Sequence, residues 1–191
     1  FLYFILFIII IFFVYFSIPK FFNYTPELIE ESLKKNSKVN IENILNTNYR
    51  LFPSPRIRVY GSSLDLNENI LEVDDAEIDI ILSPLSLINY KRLNYDRLLI
   101  RGGSTNIKIN KVNELLDYIK KNNKKINFKK NKIIILQEKK KLFEIDNSLI
   151  KINSKNNIQQ LSINGLMLNY SVAFFLENKS ENKLNITLKI P

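Results

Sequence analysis

Residues 1–18 read FLYFILFIIIIFFVYFSI, and no other feature of this 191-residue chain restricts its fold as strongly. Ser17 and two tyrosine hydroxyls are the only polar groups in the run. Eighteen helical residues reach about 27 Å at 1.5 Å each, close to the roughly 30 Å hydrocarbon core of a bilayer. A helix that is apolar on every side has no face to offer water. Fifteen of the eighteen are Phe, Ile, Leu or Val, which favours insertion by about 5 to 9 kcal/mol as an upper estimate. A cleaved secretory signal has an apolar core of about 7 to 15 residues followed by small residues for the peptidase. Residues 15–20, Tyr-Phe-Ser-Ile-Pro-Lys, offer no such site. The expected division is a transmembrane anchor over residues 1–19 and a body over residues 20–191. Lys20 alone does not fix which way the anchor points.

Chemistry in the body is limited by what it lacks. With neither Cys nor His, it has no disulfide, no thiolate nucleophile, no histidine acid or base and few means of holding zinc. No cofactor or metal is expected. The net charge of +9 would suit a polyanion, but Lys and Asn are spread over every kind of segment. A nucleic-acid surface concentrates Arg and aromatics on one face, so no nucleic-acid partner is expected. Two carboxylate pairs remain, Asp74-Asp75 and Glu77 with Asp79. A glycosidase needs carboxylates across a cleft and a metal site needs several converging oxygens. Adjacent acids on one side of an alternating strand supply neither, and Glu77 and Asp79 are expected on its solvated face. The chain is not expected to be an enzyme.

Hydrophobic periodicity divides the body. Thr25-Pro26-Glu27 is a helix start, and the helix should run to about residue 35 with Leu28, Ile29 and Leu33 on its apolar stripe. Val39 and Ile41 then alternate with polar residues, residues 49–55 form a proline-punctuated bend, and Ile57 and Val59 resume the alternation. Residues 73–82 place Ala76, Ile78, Ile80 and Leu82 on one face of a strand. Ser83-Pro84 ends it, and residues 85–90 form a short connector. Residues 96–101 and 105–110 read as a hairpin turning at Gly102-Gly103. Asn110 should cap a helix whose Val112, Leu115, Leu116 and Ile119 recur at helical spacing. Seven lysines among residues 120–132 suit a solvated loop or helix end, with anionic headgroups as another contact. Strands over 133–137, 142–145, 149–152, 158–164, 166–176 and 184–190 follow, separated by Asp146-Asn147, Asn156-Asn157, Asn164-Gly165 and residues 178–182.

The expected class is α+β: a transmembrane helix, a short amphipathic helix, then a mostly antiparallel, curved and groove-like β-sheet carrying one packed helix. Pro191 directly follows an alternating strand, so a fragment of a longer β-repeat protein is expected, because an open edge invites pairing.

The order of these features resembles the N-terminal region of the AsmA family. The resemblance is carried by the anchor, the amphipathic helix, Leu51-Phe52-Pro53-Ser54-Pro55 leading into Ile57-Arg58-Val59, residues 76–80 followed by Ser83-Pro84-Leu85, and residues 98–109. The chain departs from the family at Asn36-Ser37, where a Gly-Arg pair is frequent. The resemblance implies a single-pass inner-membrane protein with its body in the periplasm, acting in outer-membrane assembly and lipid homeostasis. Its partner would be phospholipid, moved along an apolar β-groove. The alternative is a non-catalytic anchored β scaffold whose partners are envelope proteins.

Period-two strands place Ile78, Ile80, Leu82, Ile107, Ile109, Ile133 and Ile135 where they could line one trough. The same seven residues would equally serve as ordinary core beneath the helix at 112–119.

Overall fold

The computed structural model describes residues 2–66, 70–87, 93–122, 124–155, 158–180 and 183–190. The expected turn at Asn156-Asn157 and connector residues 88–90 lie outside them. The class is α+β and mostly sheet. The apolar run forms α1, Leu2–Ser17, prolonged by a 3-10 turn at Ile18–Phe21 that accepts Pro19 in its first positions. The two together reach about 32 Å. The stretch Tyr3–Phe21 is long and apolar enough to span a membrane.

Helix α2, Pro26–Ser37, begins as the sequence predicts, with Thr25 Oγ1 accepting the Leu28 N–H and Pro26 at its first turn. It stops where Lys38 turns left-handed at φ 52° and returns its N–H to the carbonyls of Leu33 and Lys34. The strands are β1 Val39–Glu42, β2 Asn46–Arg50, β3 Arg56–Leu66, β4 Leu71–Leu82, β5 Tyr95–Arg101 and β6 Ser104–Lys108. Helix α3, Val112–Lys121, leads to β7 Lys125–Gln137, β8 Lys140–Lys155, β9 Ile158–Met167, β10 Tyr170–Ser180 and β11 Lys183–Lys189. Among the described residues these make one sheet in the order β1-β3-β4-β5-β7-β8-β9-β10-β11, with β2 beside β3 and β6 between β4 and β7. Every pairing is antiparallel except those of β5 and β6 with β7. That parallel step requires a crossover, and α3 supplies it.

Several sequence expectations are corrected. Residues 96–101 and 105–110 are not a hairpin: β5 and β6 lie end to end, both antiparallel to β4 and both parallel to β7. Gly102 and Gly103 have φ of 64° and 71°, but they displace the chain within one strand position instead of reversing it. Asp146-Asn147 likewise interrupts a single long β8. The reversal expected at Asn164-Gly165 occurs at Leu168-Asn169, where φ is 51° and 67°, the signature of a two-residue hairpin turn. Gly165 stays in the strand because β8 passes close: a Cβ there would lie 2.5 Å from Ile145 Cγ2 and 2.8 Å from the Asp146 carbonyl. Asn110 does not cap α3. It sits in a 3-10 turn, Ile109–Lys111, and Lys111 precedes the helix without a side-chain cap. The lysine-rich stretch is mostly strand, with Ile126 and Phe128 buried on β7 and Lys125, Lys129 and Lys130 exposed.

The irregularities share one line. Asn43, Gly61, Asp75, Gly102, Gly103, Lys130 and Asn147 all have φ between 47° and 71°. Register places them beside one another from the gap between β1 and β2 across to β8. Each such bulge bends its own strand locally. Asn131, fully buried on this line, donates through Nδ2 to the carbonyls of Gly102 at 2.7 Å and Gly103 at 3.2 Å.

Candidate functional site: an apolar cavity and an arginine cluster on opposite faces

Cross-strand register makes one face of the sheet apolar almost throughout. Ile57, Ile80, Leu98, Ile126, Ile152, Leu161 and Leu176 are successive partners from β3 to β10. A second row runs Val59, Ile78, Ile100, Phe128, Ile150, Ile163, Phe174 and Leu188. Such pairs are the unit from which sheets gain stability. Both helices lie on this face. The Tyr95 hydroxyl donates to Ser37 Oγ at the end of α2, and Asn36 Nδ2 donates to the Leu93 carbonyl at 3.0 Å. Tyr118 of α3 donates to the Ser37 carbonyl at 2.7 Å, joining the two helices. Ile29 and Leu33 of α2 and Leu115, Leu116 and Ile119 of α3 fill the space beneath. Burial pushes the Tyr95 phenol up to about 12 and drives that of Tyr118 higher still.

Beyond the helices the apolar face opens. A cavity of about 560 Å³ is lined by Ile107, Ile109 and Val112, by Ile135, Phe143 and Ile145, and by side chains of β9, β10 and β11, every one apolar. That volume lies within the roughly 300–1,000 Å³ usual for small-molecule sites. The structure divides the seven residues singled out from the sequence. Ile107, Ile109 and Ile135 line the cavity. Ile78, Ile80, Leu82 and Ile133 are core, with exposures of 0, 0, 4 and 0%. Sequence reading missed Phe143, Met167, Val172 and Phe174. Alternation marks them as apolar-facing, but only the location of α3 shows which part of the face stays uncovered.

Of the residues that carry the family resemblance, Leu51, Phe52, Pro53, Pro55 and Pro84 stand at the end of the sheet near α1. The peptide from Phe52 to Pro53 is cis, and Phe52 is exposed. Leu51 is half-buried, and the Pro55 carbonyl accepts the Leu82 N–H at 3.0 Å. Pro84 accepts the Tyr15 hydroxyl at 2.6 Å, and Tyr49 donates to the Phe16 carbonyl at 2.5 Å. The Leu85 side chain lies outside the described residues.

The opposite face corrects a further expectation. Glu77 is partly exposed, but Asp79 is fully buried. Arg58 grips it through Nε at 2.6 Å and Nη2 at 3.0 Å, Arg101 reaches it at 2.9 Å, and Arg56 Nε stands 3.4 Å away. Arg58 also pairs with Glu77 at 2.9 Å. The hydrogen bond to Asp79 raises the Arg58 guanidinium above its ordinary range, whereas burial pulls that of Arg56 down. Both Asp79 oxygens are engaged, leaving neither free for a substrate or a metal. Among the described residues, no group of three or more acidic side chains is placed to hold a metal ion. Comparison of the chain with protein-family models, curated proteins and solved structures returns no match.

Proposed function

We propose that this chain is a non-catalytic, membrane-anchored envelope protein resembling the AsmA family. On this reading the body stands in the periplasm and the apolar cavity forms part of a groove for phospholipid acyl chains. The observation that carries it is an entirely apolar cavity, open beyond α3, on a sheet whose other end adjoins α1, a helix long and apolar enough to span a membrane. An acyl chain gains about 0.8 kcal/mol for each methylene taken from water, so eight methylenes supply about 6 kcal/mol without any polar contact. The cavity would select for length and flexibility and leave the headgroup outside. That is the property needed to pass lipids toward outer-membrane assembly.

The test uses the full chain in lipid nanodiscs, with a short-chain phospholipid carrying a photoreactive group near its acyl terminus supplied from solution. Cross-links should fall on Phe143, Met167, Phe174 or Leu188, and Met167→Lys with Leu188→Asp should remove them. Both positions are at least partly exposed, so these changes spare the buried core. A folded protein that gives no acyl cross-link refutes the groove. Stoichiometric co-purification of an envelope protein by that same lipid-free sheet would support the scaffold instead.

A further inference from the structure

The cations of this sheet are not neutralised evenly. At the end of the sheet away from α1 several of them face carboxylates: Lys108 pairs with Glu72 at 2.6 Å, Lys132 with Glu144 at 3.2 Å, and Lys141 with Glu144, whereas Lys139 and Lys140 at the turn after β7 are exposed with no carboxylate partner among the described residues. At the end near α1 one register row runs Arg50, Arg56, Ile81, Arg97 and Lys125 across five neighbouring strands. Arg50, Arg97 and Lys125 are exposed, and among the described residues none of them has a carboxylate partner. Arg50 instead donates to the Tyr60 hydroxyl at 2.9 Å. Arg56 of this row, together with Arg58 and Arg101 behind it, already saturates Asp79, and Arg56 Nε is buried without a hydrogen bond. Asp79 is therefore not available to the outer row.

Its position is tied to the helix that enters the membrane. Tyr49, bonded to the Phe16 carbonyl, directly precedes Arg50. Pro84, bonded to Tyr15, is three residues past Ile81, about 10 Å of extended chain. Five strands at roughly 4.8 Å spacing make the row about 19 Å wide. The β2–β4 part of the row is thus within about one Debye length of the last turn of α1 at 0.1 M salt, and Lys125 lies about two strand spacings farther along.

We propose that Arg50, Arg97 and Lys125 form a docking edge for anionic phospholipid headgroups of the bilayer that α1 enters. The edge would hold the sheet upright on the membrane, independently of whether the cavity carries lipid. Each cation near an anionic surface contributes roughly a fivefold gain in occupancy of the docked state. Neutralising all three should lower docking on the order of 100-fold.

Because the chain has no cysteine, Asn48→Cys on β2 gives one labelling point beside the row. The labelled full chain is placed in nanodiscs of phosphatidylcholine, or of an equimolar phosphatidylcholine and phosphatidylglycerol mixture, each doped with a headgroup nitroxide quencher. Quenching should be stronger with phosphatidylglycerol, should weaken with added salt, and should lose its lipid preference in R50Q/R97Q/K125Q. The matched change K139Q/K140Q/K141Q at the far end should leave the preference intact. Equal quenching in both membranes overturns the docking edge, and that comparison needs no charge variant to fold. Equal loss in the far-end variant also overturns it, by showing dependence on net charge and not on place. Displacement by millimolar glycerol phosphate with no phosphatidylglycerol preference overturns the lipid assignment in favour of a soluble anion.

Discussion

Gly102 and Gly103 offer a paired test of the line of bulges, because they share a left-handed backbone and differ in their surroundings. Alanine at either position must hold a positive φ, which costs about 1–2 kcal/mol. At Gly102 a Cβ meets nothing within 4 Å, so that cost is the whole effect. At Gly103 it would lie 2.3 Å from the Asp74 carbonyl oxygen and 2.9 Å from that of Asp75. Backbone atoms of β4 cannot rotate away as a side chain can, so β6 must separate from β4. The Gly103 carbonyl, which accepts from Lys132 N at 3.0 Å and Asn131 Nδ2 at 3.2 Å, moves with it. Each weakened buried bond costs about 1 kcal/mol, which brings Gly103→Ala to about 4 kcal/mol or more. At roughly 2–4 °C per kcal/mol for a chain of this size, Gly102→Ala should lower the melting temperature by about 2–8 °C and Gly103→Ala by about 8–16 °C. Far-UV circular dichroism of the full chain in mild detergent reads both. Equal losses in the two variants would refute the close approach of β4, and with it the end-to-end placement of β5 and β6.

Three further outcomes follow from buried polar groups. Asp79→Asn leaves Arg56 buried without an anion and Arg58 with only Glu77, and should cost about 3–5 kcal/mol; a loss below about 1 kcal/mol in chemical denaturation would contradict the burial of that cluster. Thr105 is fully buried with its hydroxyl unpartnered, among Val73, Ile133 and their neighbours. Thr105→Val should stabilise the fold by about 1 kcal/mol, and any destabilisation would mean that the hydroxyl has a partner. The Tyr95 phenol is raised from 10.0 to about 12 by burial, so below pH 10 neither state ionises and its contribution is intact. As pH rises from 10 to 12 the unfolded chain releases this proton first, and about 2–3 kcal/mol is lost. Alkaline denaturation should therefore be shallower in Tyr95→Phe, and identical pH slopes would refute the burial.

Local signals in the sequence were readable wherever one interaction decided the outcome. Thr25 and Pro26 start α2 as expected because a cap needs only its own first turn. The apolar faces of β4 and α3 were likewise evident from period alone. What failed was the meaning of glycine and asparagine pairs. Gly102-Gly103, Asp146-Asn147 and Asn164-Gly165 have the composition of turns, yet each lies within a strand position, where a positive φ or the near approach of β8 requires a residue of their kind. The chain reverses at Leu168-Asn169 instead, a pair with weak turn chemistry, because the register of β9 on β10 dictates where the strand must end. The burial of Asp79 was equally hidden. Arg56 and Arg58 lie more than twenty positions earlier, and only the pairing of β3 with β4 brings them to it.

The apolar rows are continuous in register, but they are not continuously open. Between the end near α1 and the cavity, Ile78, Ile80, Leu98, Ile100, Ile126 and Phe128 are all at 0% exposure beneath α2 and α3. An acyl chain leaving the bilayer has no free path along that stretch, since displacing Leu33 or Leu116 from the core would cost about 2–5 kcal/mol each. If the cavity holds lipid, the chain must enter past α3 or from the β11 side, where Leu188 is 59% exposed. Upright docking through Arg50, Arg97 and Lys125 would then keep the cavity at a distance from the headgroups. Lipid delivery to it would require a carrier or a further stretch of groove, and not direct contact with the bilayer. Acyl cross-linking to the isolated chain in nanodiscs should accordingly increase when short-chain lipid is supplied from solution. Cross-linking that is complete with bilayer lipid alone would show that the helices do not seal that end.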